Sequence, residues 1–272
     1  MWPVFLRLGP ITIYTYGVLV AAGFLVALLL TLRQAPRFGV DKAFVWDWSF
    51  YVLLGSILGA RLLYLVVERP SVRWDWRGIA DVLLHAGGVF YGGFLGAVLV
   101  SLWFLRRRGV SVWTAGDLVA APLALGHAIG RVGCLSAGCC YGQLTHVPWA
   151  ITFTNPLAGD LIGTPLNVPL HPTQVYESLW NLLLAGGLIG LVRWRGRRPG
   201  DLWWAYVGLY AVGRFIIEFY RGDPRGAWGG FSTSQWMAMG ALGAALVGLW
   251  SRRGRSSGRH VHEVNPSDNK NP

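Results

Sequence analysis

The chain has 272 residues, is 53% hydrophobic and only 14% charged, and carries 15 Trp with a mean hydropathy of +0.42. A soluble domain holds roughly 25% charged residues. The composition therefore excludes an ordinary soluble enzyme and predicts an all-α integral membrane protein, since the apolar stretches are continuous rather than alternating as in a barrel. The net charge of +11 does not predict nucleic-acid binding, because the basic residues lie between apolar runs and build no face with interleaved stacking aromatics.

The N-terminal MWPVFLRLGP lacks a basic segment running into an apolar core and a small-residue cleavage site, so the first span is expected to be retained. A bilayer requires roughly 20 apolar residues per helix. That length predicts seven transmembrane helices, over 13–32, 44–67, 84–105, 114–134, 174–193, 201–221 and 232–251. After the second, Trp74 and Trp76 suit an interfacial segment, flanked by Arg69, Arg73 and Arg77 and by Glu68, Asp75 and Asp81. The stretch 141–173 is the one sizeable insertion; its VPWAITFTNP predicts a short hairpin or small periplasmic head. The organisation expected is a seven-helix domain over 1–251 with that head, followed by a polar, disordered cytoplasmic tail at 252–272. No internal repeat is evident.

Orientation follows from the connections. Arg33, Arg37 and Lys42 follow the first span, Arg106 to Arg108 the third, Arg193, Arg195, Arg197 and Arg198 the fifth, and Arg252, Arg253, Arg255 and Arg259 the seventh. Val132 to Val192 contains no Lys or Arg. The positive-inside rule places the C-terminus in the cytoplasm and the N-terminus outside.

Within the apolar runs stand Arg61, Arg131, Glu177, Arg214 and Glu218. Ionisable side chains there are expensive and usually functional. With the spans oriented as above, all five fall toward the outer surface. Arg214, Glu218 and Arg221 are spaced i, i+4 and i+7 on one helix face, and His127 precedes Arg131 by one turn. Tyr16 and Tyr91 begin the first and third spans at the same level. Arginine suits phosphate because its planar fork donates two hydrogen bonds at once and keeps its charge when partly dehydrated. The bland reading is structural pairing, Arg214 with Glu218, with Arg221 reaching to the surface.

GSILGAR (55–61) and GGVFYGGFLGA (87–97) are small-residue patterns of tight helix contacts, with Gly92 and Gly93 the pair placed to admit a lipid or peptide. In His171-Pro172-Thr173-Gln174, Thr173 is expected to cap the fifth span, with Glu177 in its first turn; His171 is alternatively a base titrating near neutral pH. Cys134, Cys139 and Cys140 lack Cys-x-x-Cys spacing, and an odd number precludes complete pairing. They read as small packing residues, or as a disulfide from Cys134 to Cys139 or Cys140; a metal would need further ligands such as His127, His146 or His171.

GRVGCLSAGCCYG (130–142) resembles the signature segment of prolipoprotein diacylglyceryl transferases. HPTQVYES (171–178), GAR (59–61), Tyr16-Gly17 and GRFIIEFYRGD (213–223) resemble that family's other blocks, in order and over nearly the whole chain. The resemblance implies a multi-pass enzyme of the bacterial inner membrane. It would move the diacylglyceryl group of phosphatidylglycerol to the lipobox cysteine of a prolipoprotein, the first step of lipoprotein maturation. Its partners would be phosphatidylglycerol, prolipoprotein signal peptides and membrane lipid. It implies neither metal nor organic cofactor. On that reading Arg131 and Arg214 hold phosphate and Glu218 orients Arg214. Tyr91, His171 and Glu218 are the candidate bases, and Tyr16, Arg61, Gly92, Gly93, Gly142, Glu177 and Arg221 meet substrate. The chain departs from the family at Cys134 and Cys139, where Asn and Glu are usual, and at Tyr91, where a histidine stands, so it reads as a divergent member. The alternatives are a membrane thiol oxidoreductase using the three cysteines and a non-enzymatic lipid carrier.

Overall fold

A computed structural model describes residues 2–9, 11–67, 75–79, 89–192, 198–223 and 226–254. The helices follow the apolar runs. They are α1 (Thr15–Gln34), α2 (Lys42–Val67), α3 (Phe90–Arg108), α4 (Val112–Ala137), the short α5 (Pro156–Ile162), α6 (Thr173–Val192), α7 (Asp201–Glu218) and α8 (Thr233–Gly254). Among the described residues, four stretches are long and apolar enough to cross a membrane: Thr15–Phe38, Lys42–Val67, Val112–Ala137 and Thr173–Val192. The chain is a mostly helical membrane protein.

Among the described residues, three small antiparallel hairpins qualify the all-α expectation: β1 (Val4–Leu8) with β2 (Ile11–Tyr14), β3 (Ile151–Thr152) with β4 (Pro169–Leu170), and β5 (Ala227–Trp228) with β6 (Phe231–Ser232). The first was not anticipated, because VFLRL and ITIY merge by hydropathy with the span that follows. Their β-branched residues on either side of a Gly-Pro pair in the sequence are nonetheless a strand signal. The hairpin is tied to α1 by the Thr15 N–H, 3.0 Å from the Pro3 carbonyl, and by the Thr15 hydroxyl on the Trp2 carbonyl. The second hairpin brackets α5, which Asn155 caps through the Leu157 N–H at 3.0 Å; this is the insertion expected at 141–173. Most of the segment expected at the interface, with Trp74, lies outside the described residues, as do 84–88 and the expected tail from 255 onward.

The chain divides into two compact units. In the unit Leu25–Pro122, α2 and α3 lie together along a glycine seam. A Cβ on Gly59 would run into the Gly92 carbonyl, and one on Gly92 into the Gly59 carbonyl. A Cβ on Gly93 would stand 3.2 Å from the Ser56 carbonyl. The space a side chain would need at Gly92 and Gly93 is thus filled by the neighbouring helix. Leu28, Val45 and Leu118 form one core here, and Trp48, Phe104, Leu105 and Ala115 another.

The second unit comprises Met1–Phe24 and Leu123–Pro272. The Trp180 indole of α6 donates to the Leu209 carbonyl of α7 at 3.1 Å, and the Ser178 hydroxyl of α6 to the Ala128 carbonyl of α4 at 2.9 Å. Ala124, Leu184 and Ala185 pack with Tyr206 and Tyr210. Each charged side chain of the site below belongs to this unit.

Candidate active site

The site begins where α4 stops. Gly138 turns the chain at φ +86° and its N–H returns to the Cys134 carbonyl at 2.9 Å. Cys140 also adopts a left-handed φ, +61°, a conformation that costs a non-glycine residue of order 1 kcal/mol and persists only where its surroundings enforce it. α6 supplies the enforcement. The Gln174 amide donates to the Cys139 carbonyl and the Thr173 hydroxyl to the Cys140 carbonyl, both at 2.7 Å. Thr173 is therefore the first residue of its helix and a tether for the cysteine loop, not the cap expected.

The following residues run between two other segments. Gln143 N–H meets the Tyr220 carbonyl at 2.8 Å, Gly222 N–H the Tyr141 carbonyl at 3.1 Å, and His171 N–H the Gln143 carbonyl at 2.9 Å. Gly142 sits at the crossing, where a Cβ would collide with the His171 and Tyr220 carbonyls. The absence of a side chain is what permits this close backbone approach.

This knitting sets three guanidiniums around one carboxylate. Glu177, with its side chain 3% exposed, is paired with Arg131 through Nε, with Arg214 Nη1 at 2.9 Å and with Arg221 Nη1 at 3.4 Å. Arg214 Nη2 reaches Glu218 Oε2 at 2.7 Å and donates to the Ser234 hydroxyl at 3.1 Å. The Ser232 hydroxyl donates to Glu218 Oε1 at 2.7 Å. Arg221 is gripped by Asp223 through Nε and Nη2, both at 2.8 Å. Arg131 Nε also donates to His127 Nε2 at 3.1 Å. Arg131, Glu177, Arg214, Glu218, Arg221 and Asp223 thus form one network of three cations and three anions.

Burial ranks the cations. Arg221 is 2% exposed, Arg214 10% and Arg131 15%. Arg131 and Arg214 retain some exposure, while Arg221 is locked by Asp223. The bland reading of Arg221 reaching to the surface is thereby corrected. So is its place on the α7 face, because the helix ends at Glu218 and Arg221 follows through a turn.

His171 lies beside the network in an aromatic group, its Nδ1 3.1 Å from the Tyr176 hydroxyl and its ring centroid 5.1 Å from that of Tyr220. Tyr16 packs on Gly133, whose Cβ would stand 3.4 Å from the Tyr16 ring. Arg61 and Tyr91 belong to the Leu25–Pro122 unit. Sequence reasoning missed Asp223, Ser232, Ser234 and Gln174. The Asp beside Arg221-Gly222 and the Ser-Thr-Ser run opening α8 were the available signals.

Two further features adjoin the network. The sulfurs of Cys134, Cys139 and Cys140 all lie within 4.8 Å of one another, and all three are free thiols. The neighbouring Cys134 and Cys139 thiols, aided by Arg221 and Arg131, hold the Cys140 thiol well below the usual thiol range despite its burial. Its neighbours Cys134 and Cys140, together with burial, push the Cys139 thiol up. Beyond Cys139 opens a cavity of about 730 Å³, lined chiefly by apolar groups including Ile13, Tyr16, Val18, Leu157 and Leu161.

Fold and site together define a helical membrane protein with a buried guanidinium–carboxylate network next to an apolar cavity. The chain belongs to the prolipoprotein diacylglyceryl transferase family, whose model matches residues 3–251, and it is a transferase. It is 36% identical over 251 residues to the phosphatidylglycerol–prolipoprotein diacylglyceryl transferase of Clostridium tetani, covering 92% of this chain and 96% of that one. It is 34% identical to the second such transferase of Clostridium perfringens, covering 89% and 93%, and 34% identical to that of Gloeobacter violaceus, covering 94% of each.

Proposed function

We propose that this enzyme transfers the diacylglyceryl group of phosphatidylglycerol to the lipobox cysteine of prolipoproteins, with Arg131 and Arg214 at the phosphate. The observation that carries the site assignment is the hub at Glu177, which gathers guanidiniums from α4, from α7 and from the segment after α7. The relatives' names support the transferase rather than an oxidoreductase or a carrier.

The acceptor thiolate attacks the diacylglyceryl carbon bonded to the phosphate oxygen. The new C–S bond forms as that C–O bond breaks, and its electron pair leaves with glycerol 1-phosphate. The phosphate passes from one negative charge to two, so donors held in place before the reaction favour the transition state over the ground state. Arg214 is preset by Glu177, Glu218 and Ser234, and Arg131 by Glu177 and His127. Neither must reorganise fully as charge develops. Tyr16 and the apolar cavity beside it suit the acyl chains or the signal peptide. Arg61 is assigned to substrate, and Tyr91, His171 and Glu218 are the candidate bases, on the family resemblance.

The seven long helices are read as seven spans of the bacterial cytoplasmic membrane, N-terminus outside and C-terminus inside, with 141–173 as a periplasmic head. Vesicles containing phosphatidylglycerol and a lipobox peptide test the reading. The wild type should form thioether and release glycerol 1-phosphate in equal amounts, and Arg214→Ala should form neither. Undiminished turnover in that variant would remove Arg214 from the mechanism.

A further inference from the structure

The transfer step above makes no use of Cys134, Cys139 or Cys140, yet the fold goes to some length to gather them. Cys134 comes from the last turn of α4. Cys139 and Cys140 come from the loop that doubles back through two left-handed residues, and Gln174 and Thr173 clamp their carbonyls from α6. Packing alone does not require adjacent residues 139 and 140 to turn both sulfurs toward Cys134. In a tetrahedral thiolate site with metal–sulfur bonds of about 2.3 Å, the sulfurs stand roughly 3.8 Å apart. The spacing here, within 4.8 Å, needs a closure of the order of 1 Å.

The surroundings suit an anionic cluster with a vacant side. Arg131 Nη1 lies 4.0 Å from Cys134 Sγ, so a guanidinium stands against the charge of ionised sulfur. Among the described residues, no His, Asp or Glu ligand atom joins the three sulfurs. Cys139 lines the apolar cavity of about 730 Å³, whereas Cys134 is turned toward Arg131. The thiol cluster therefore stands between the space that suits apolar substrate and the cations that suit phosphate.

We propose that Cys134, Cys139 and Cys140 bind one thiophilic d10 cation, Zn²⁺ in the first instance, and that its fourth position takes the thiol of the acceptor peptide. Thiolates select such soft ions, and three protein ligands with one open position is the arrangement of zinc sites that bind substrate. The second half of the proposal rests on the transferase reading. Coordination releases the acceptor's thiol proton to water. The bound thiolate then forms the C–S bond as the C–O bond to phosphate breaks, and the electron pair leaves on the phosphate oxygen. One thiolate and one phosphodiester, each singly negative, become a neutral thioether and a doubly negative phosphomonoester. No oxidant or reductant is required.

The full chain, purified in detergent with a phosphine reductant, tests this by elemental analysis and by Co²⁺ titration of the metal-stripped protein. The expected result is one Zn²⁺ per chain, a sulfur-to-cobalt charge-transfer band at one equivalent of Co²⁺, and loss of at least nine-tenths of both in the triple Cys→Ser variant. Wild-type protein that stays metal-free in excess Zn²⁺, or a disulfide between two of the three residues, overturns the proposal. If the triple variant misfolds, the wild-type band alone decides, because its intensity counts cobalt–sulfur bonds. A lipobox peptide should then strengthen the band by about a third, from three sulfurs to four, and its Cys→Ser analogue should not. No response to the cysteine peptide overturns the open position. Thioether formation by metal-free enzyme would sink the inference and leave the transferase standing; bound metal with no thioether from phosphatidylglycerol would sink the transferase instead.

Discussion

Arg214 Nη1 donates to Glu177 Oε1 at 2.9 Å, joining α7 to α6 across 37 positions of sequence. The same oxygen also faces Arg221 at 3.4 Å, and the partner oxygen of Glu177 is taken by Arg131. One carboxylate thus neutralises guanidiniums from three segments, in a part of the chain where water cannot do so cheaply.

Removing that carboxylate should cost more than removing any one arginine. Glu177→Gln keeps the shape and leaves three buried cations with two anions; breaking a buried pair from one side costs about 3–5 kcal/mol. A lower melting temperature in detergent and faster proteolysis are expected. A melting temperature equal to the wild type's would show that Glu177 is not the hub.

Arg214→Lys should fail to restore transfer. Lysine cannot span Glu177, Glu218 and Ser234 with a planar fork, and the loss of a preset donor at a developing oxyanion is worth about 10²–10³ in kcat. Steady-state rates of the two variants decide this: a lysine variant within a few fold of wild type means that charge alone suffices.

Gly142→Ala and Gly186→Ala form a matched pair. At Gly142 the new methyl meets the His171 and Tyr220 carbonyls, whereas nothing lies within 4 Å at Gly186, in the middle of α6. The first should destabilise by about 1–3 kcal/mol through overpacking, and the second should be neutral or stabilising by up to about 1 kcal/mol through helix propensity. Thermal melts of the two in the same detergent give the comparison, and equal melting temperatures would contradict the crowded crossing.

Thr173→Val removes the hydroxyl that holds the Cys140 carbonyl. A loss of about 1 kcal/mol is expected, together with faster alkylation of Cys139 and Cys140, because the left-handed turn is no longer enforced. Unchanged labelling rates would mean that the loop holds its conformation without the tether.

The long helices were legible because each is an uninterrupted apolar run, and their observed limits differ from those read off hydropathy by a few residues. α7 stops three residues early, at Glu218, where the chain turns to bring Arg221 back to Glu177. The N-terminal hairpin was hidden because hydropathy reports burial and not backbone shape. Arg131, Glu177, Arg214, Glu218 and Arg221 stood out because charge in an apolar run is expensive. Asp223 and Ser234 did not, since polar residues just outside a span or in its first turn are unremarkable until their partners are known.

Sequence alone determined that this chain enters a membrane, which residues carry charge there, and which family's blocks it shares. Those are properties of composition and order. Tertiary structure alone decided that Glu177 is the counterion common to all three guanidiniums, that Gly92, Gly93 and Gly142 stand at close backbone approaches, and that the three cysteines converge. Each depends on where separate segments cross, and the last also on one left-handed turn at Cys140. Neither is encoded in any local spacing, because a hydrogen bond is satisfied by whichever partner the fold brings within 3 Å or so, however distant in sequence.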